Sequence, residues 1–162
     1  MIVRTFKSSR GFTLIELAVT VAIIGLLAGI AVPTADLVSQ RNKEHDLRLS
    51  LREIRKSIDA YKQAYDDGRM TKTVGETGYP PSLRILVEGV PDAKSPAKAK
   101  MYFLRRIPRD PMSIDTESAP EQTWGLRSYE SAPDSPSEGK DVFDVYSKST
   151  GKALNGVPYR EW

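Results

Sequence analysis

From Phe12 to Val32 the chain is almost continuously apolar, interrupted only by Thr13, Glu16 and Thr20 among the small and aliphatic residues. At ~1.5 Å per residue this run predicts a helix of about 30 Å, enough to cross the core of a bilayer. Pro33 ends the run; it lacks an N–H and crowds the preceding turn, so a kink or local melting is expected there. Gly25 and Gly29 lie four apart just before it. That spacing lets membrane helices approach closely, although glycine is also simply common in such helices. Beyond Pro33 the pattern becomes amphipathic. Leu47, Leu51, Ile54, Ile58, Tyr61 and Tyr65 share one helix face, and Arg48, Arg52, Glu53, Arg55, Lys56, Asp59 and Lys62 occupy the other side. Asp66 and Asp67 give helix-end charge, and Gly68 is the expected stop. Ser39 to Asp46 is polar all round, with no packing partner visible. The apolar half of this long helix has no partner in so short a chain, which makes other copies the natural candidates.

After Thr71 glycine and proline become frequent and apolar runs shorten. Tyr79-Pro-Pro-Ser-Leu83 predicts a turn leading into a short helix that starts at Pro81 or Ser82 and ends about Glu88. Asp92 to Ala99 reads as a loop, Met101 to Ile107 as a strand or one helical turn, and Arg109-Asp110-Pro111 as a turn. Trp124 to Tyr129 and Asp141 to Ser147 alternate as strands do, with Arg127 outward and Phe143 and Val145 on one face. Ala132 to Gly139 is the loop between them. A small antiparallel sheet packed on the Leu47–Tyr65 stripe makes an α+β domain.

Charge changes this picture in one respect. The 24 basic side chains exceed the 21 acidic ones, but Arg4, Lys7 and Arg10 supply the whole excess. The remainder is neutral and gives no electrostatic case for nucleic acid. The local basic segment from Lys94 to Arg109, with Lys98, Lys100, Arg105 and Arg106 between, reads as a solvated or subunit-contacting face. There is no cysteine, which excludes thiolate metal sites and a cysteine nucleophile. His45 is the one histidine and sits in the polar helical section, where it reads as solvated. No phosphate loop, nucleophile elbow or metalloprotease motif is present, so no catalytic residue and no enzyme activity are expected.

Glu16 decides between readings of the N-terminal run. A cleavable signal peptide cut near Ala31 or a passive anchor would gain nothing from a carboxylate that costs ~2.5–3.5 kcal/mol in a spanning helix. If the chain is cut after Gly11, Phe12 brings a cationic amine into the same apolar zone. A buried ion pair offsets desolvation only when both charges meet. The pair can form within a chain or between staggered copies, and the second arrangement makes Glu16 a register pin for assembly. The short basic flank keeps Met1 on the cytoplasmic side.

The segment Lys7-Ser-Ser-Arg-Gly11-Phe12-Thr-Leu-Ile-Glu16-Leu17 resembles the prepilin signal of type IV pilins and type II secretion pseudopilins. The resemblance implies cleavage between Gly11 and Phe12 by a prepilin peptidase, N-methylation of Phe12 and an assembly role for Glu16. Tyr79 to Leu83, Tyr102 to Pro111, Trp124 to Tyr129 and Val142 to Ser147 look like G-type major pseudopilins. On that resemblance residues 1–11 are the leader and 12–33 the transmembrane and polymerisation helix. Residues 34–162 are a periplasmic domain, helical to about Asp67, with loops and a small sheet over 68–162. The function implied is a subunit of a periplasmic pseudopilus anchored in the inner membrane by one span; a type IV pilus subunit is the alternative. The implied partners are further copies, minor pseudopilins, the peptidase and an assembly platform with its ATPase. Such proteins often hold calcium in the C-terminal loop. Here Lys148 to Arg160 contains no Asp or Glu, and Asp141 with Asp144 make a poor set for an ion needing six to eight oxygens. No cofactor is therefore expected, calcium being the alternative the resemblance keeps open, and Tyr146, Tyr159 and Trp162 are expected to hold the loop by packing.

Overall fold

The computed structural model describes residues 11–73 and 75–162, with the side chains of 30–35 outside that description. The leader up to Arg10 therefore lies outside the described residues, whereas the backbone stays helical through Pro33, without the local melting expected there. Helix α1 runs Leu14–Asp66 and contributes to two compact units, Met1–Ser39 and Gln40–Trp162.

In the first unit every described side chain is exposed. Leu14 is 86% exposed and Leu26 69%, so this apolar surface is open. Among the described residues no helix is long and apolar enough to cross a membrane.

In the second unit the expected stripe is the core. Leu47, Leu51, Ile54 and Ile58 are buried, and Tyr61 with Ala64 extends the row. α1 ends as Gly68 predicts. Gly68 adopts φ 69°, its N–H reaches the Tyr65 carbonyl, and the Arg69 N–H reaches back to Ala64, a Schellman closure. Helix α2 (Leu83–Glu88) follows Ser82 and buries Leu83 and Leu86. Strands β1 (Val90–Pro91) and β2 (Lys100–Met101) form a minimal antiparallel pair, as do β3 (Trp124–Arg127) and β4 (Asp144–Ser147), with Trp124 opposite Ser147 and Arg127 opposite Asp144. Trp124, Val142 and Val145 from the latter region join the α1 stripe in one hydrophobic cluster.

Four expectations change. The segment Met101 to Ile107 is neither a full strand nor a helical turn: beyond β2, the Phe103 and Leu104 amides both donate to the Leu86 carbonyl and cap α2. β3 stops at Arg127, two residues early, because Ser128 Oγ and the Tyr129 amide turn to the Asp141 carboxylate. β4 begins at Asp144 for the complementary reason, since Asp141 is occupied there and the Val142 amide donates to Pro80. Arg127 does not point freely outward; its guanidinium lies over the Phe143 ring.

Candidate functional site

Gly11, Phe12 and Thr13 precede the helix as irregular backbone, and Gly11 and Phe12 are both exposed. Thr13 is the residue that starts α1. Its carbonyl accepts the first helical bond from Leu17 N, and its Oγ1 accepts from the Glu16 N–H at 3.3 Å. Thr13-Leu-Ile-Glu16 is thus the sequence of a capping box, of which the threonine half is formed. The Gly11–Phe12 bond is left in an exposed, irregular stretch immediately ahead of the helix. Glu16 sits in the first turn, where the helix N-terminus favours a negative charge. Thr20, the other polar side chain in the run, returns its hydroxyl to the Glu16 and Leu17 carbonyls, so it exposes no unpaired donor. A Cβ added at Gly25 or Gly29 would meet nothing within 4 Å, which leaves both positions open to a neighbouring helix. Gly11, Phe12 and Glu16 thus fall together at one helix end. Gly25 and Gly29 lie farther along α1.

At the other end of the chain the polar section Ser39–Asp46 has a partner that the sequence did not reveal. Glu44 is buried, and its Oε1 accepts from the Leu154 amide at 2.9 Å and from the Tyr159 hydroxyl at 3.1 Å. Gln40 donates to the same Tyr159 oxygen and to the Lys152 carbonyl. Arg55 completes the attachment, bonding Asp144, the Val145 carbonyl and the Trp162 carbonyl. Tyr159 and Trp162 pack edge to face, as expected for the loop. Tyr146 instead lies against Gly125, where a Cβ would overlap its ring. The segment from Lys148 to Arg160 offers hydroxyls and carbonyls but no carboxylate, and the acid nearest in role, Glu44, is already committed to protein donors. Among the described residues no group of three or more His, Asp or Glu could hold a metal.

The consequence is measurable. Glu44→Ala strands a buried tyrosine hydroxyl and a backbone amide, costing roughly 2–4 kcal/mol. A urea titration of the purified chain should show the lower midpoint, and limited proteolysis should cut first near Lys148 to Arg160.

Two further buried carboxylates organise the sheet region. Asp110 accepts from Ser147 Oγ at 2.6 Å and from the Met112 amide at 2.8 Å. Asp141 accepts from Ser128 Oγ, Thr77 Oγ1 and the Tyr129 amide. Burial pushes the Asp141 carboxyl up, but those donors outweigh it and hold the group below its ordinary value. A depressed folded value means that the stabilisation is present above the unfolded pKa of about 3.9 and is lost as pH falls below it. The stability gap between the wild type and Asp141→Asn, followed by urea titration, should therefore narrow below about pH 4. Of the basic segment, Lys94, Lys98, Lys100, Arg105 and Arg106 are exposed, while Arg109 is turned onto the carbonyls of Asp115, Thr116 and Ser118. His45 is exposed, as its setting in the sequence implies.

Residues 6–32 match the prokaryotic N-terminal methylation motif. The chain is 30% identical over 149 residues to the type II secretion system core protein G of Klebsiella pneumoniae, covering 90% of this chain and 99% of that one. This chain belongs to the type II secretion system core protein G family. A second core protein G, from Klebsiella michiganensis, is 29% identical over 115 residues, 67% of this chain and 72% of that protein. The type IV major pilin protein PilA of Myxococcus xanthus is 42% identical over 62 residues, which is 36% of this chain and 28% of the pilin's length. No solved structure matches. The core protein G likeness runs through nearly the whole chain.

Proposed function

We infer that the chain is a structural subunit of the periplasmic pseudopilus of a type II protein secretion system. The observation that carries this is an N-terminal helix whose described apolar side chains are exposed, headed by the methylation motif. In water each buried large aliphatic side chain is worth ~1.5–3 kcal/mol, so a band of this size is stable only in a bilayer or against other helices. The precursor spans the inner membrane once, with residues 34–162 in the periplasm. A prepilin peptidase cuts between Gly11 and Phe12, and the new amine of Phe12 is methylated. Glu16 then pairs with the Phe12 amine of an adjacent copy and sets the stagger between helices, with Gly25 and Gly29 allowing close approach and Pro33 a change of helix direction. Minor pseudopilins, an inner-membrane platform and its ATPase complete the assembly, and the subunit itself catalyses nothing and needs no cofactor.

The similarity to a type IV major pilin favours one competing role, a surface pilus subunit. Deleting the gene separates them. Loss of extracellular enzyme export with surface fibres intact supports the pseudopilus; loss of surface fibres with export intact supports the pilus.

A further inference from the structure

Of the large apolar side chains outside the N-terminal helix, Ile114 is the most exposed at 98%. A single exposed isoleucine is unremarkable on a mobile loop, but this loop is braced. Asp115 Oδ1 accepts from the Glu117 amide at 2.9 Å and the Ser118 amide at 3.1 Å, and Ser118 Oγ donates to its other oxygen. The Arg109 guanidinium holds the carbonyls of residues 115, 116 and 118 from below. The loop therefore presents a fixed apolar tip, with Glu117 exposed beside it. The Ser118 hydroxyl and the two amides hold Asp115 below its ordinary value, so it too is charged at neutral pH.

Elsewhere on the same unit lies a groove of about 750 Å³ that shares no residue with this loop. Leu51, Val157 and Trp162 supply apolar lining, and Arg48, Arg52 and Lys56 supply positive charge, against one acid, Asp59. Arg55 also lines it but is spent on Asp144 and the C-terminal carbonyls. Among the described residues, no ion pair engages Arg52 or Lys56. Arg48 stacks its guanidinium 4.3 Å from the centre of the Trp162 ring and also lies 3.9 Å from the Glu44 carboxylate, which leaves Arg52 and Lys56 as the groove's uncommitted cations.

We propose that the Ile114 loop of one copy docks in the Arg48–Trp162 groove of the next. The tip is apolar with acids at its side, and the groove is apolar with a cationic rim, so polarity and charge agree. Because tip and groove are different patches of one chain, the contact is head-to-tail and does not close on itself, which is the geometry of a filament. The proposal deepens the pseudopilus reading and rests on it: this contact links the C-terminal units of neighbouring copies.

The absence of cysteine makes the test clean. Ile114→Cys combined with Val157→Cys should give an oxidation-dependent ladder of multimers in assembled fibres, and neither single variant should. Ile114→Lys should lower fibre yield about tenfold, Arg52→Glu should lower it similarly, and Ile114→Leu should not. The folded state of each variant is checked by its urea midpoint, which an exposed residue should not move. Full fibre yield from Ile114→Lys, or fibres of the double cysteine variant that give no ladder, overturns this contact while leaving the filament reading intact. A wild-type chain that forms no fibres contradicts the filament reading itself, and the contact with it.

Discussion

Glu16→Ala leaves the precursor inserted and cut after Gly11 but abolishes fibre assembly. The leader and the Gly11–Phe12 bond do not include Glu16, and helix α1 is started by Thr13, whose side chain caps the Glu16 backbone N–H and not its carboxylate. Processing therefore survives. Assembly does not, because the Phe12 amine of each neighbour is then left in apolar surroundings without a counter-charge. Removing one partner of a buried ion pair costs ~3–5 kcal/mol per contact, and 1.4 kcal/mol is tenfold in an equilibrium constant, so addition of each subunit weakens by more than about a hundredfold. Mass spectrometry of the membrane pool checks processing and quantification of sheared fibres checks assembly. Normal fibre yield from this variant removes the reason for assigning Glu16 a role.

Trp124→Ala should cost ~3–5 kcal/mol of stability, a large share of the ~5–15 kcal/mol that a domain possesses. Trp124 is 1% exposed, opens β3 and packs into the α1 stripe. Its Nε1 donates to the Pro108 carbonyl at 2.8 Å, tying the sheet to the turn that carries Asp110. Trp124→Phe keeps much of the packing and loses that bond, so its cost should fall to ~1–2 kcal/mol. Urea titration of both variants gives the comparison; equal midpoints for the wild type and Trp124→Ala would show that the core lies elsewhere.

The elements written into local pattern were legible in the sequence. The Leu47–Tyr65 stripe, the Gly68 stop, α2 and the pairing of Trp124 and Asp144 segments all follow from periodicity or from a residue with one strong backbone preference. The N-terminal methylation motif was legible too, because its parts are contiguous: Gly11, Phe12 and Glu16 fall within six consecutive residues. What was missed depends on contacts distant in sequence. Glu44 looked like one more charge in a polar section, and only folding brings Leu154 and Tyr159 onto it. Arg55 looked like a solvated face residue, yet it joins Asp144 to the C-terminus. Strand ends were misplaced for the same reason, since Asp141 draws Ser128 and Tyr129 out of the ladder and no propensity encodes that pull. Thr13 is different: the capping-box spacing with Glu16 was present in the sequence, and the carboxylate's functional reading hid it.

The intact mass of the mature chain tests the central claim most directly. A polypeptide that begins at Phe12 and carries one added methyl group is the predicted product, because only that cut creates the amine for Glu16 to meet. A product that begins at Val32, or that keeps Met1 in its working form, contradicts the account.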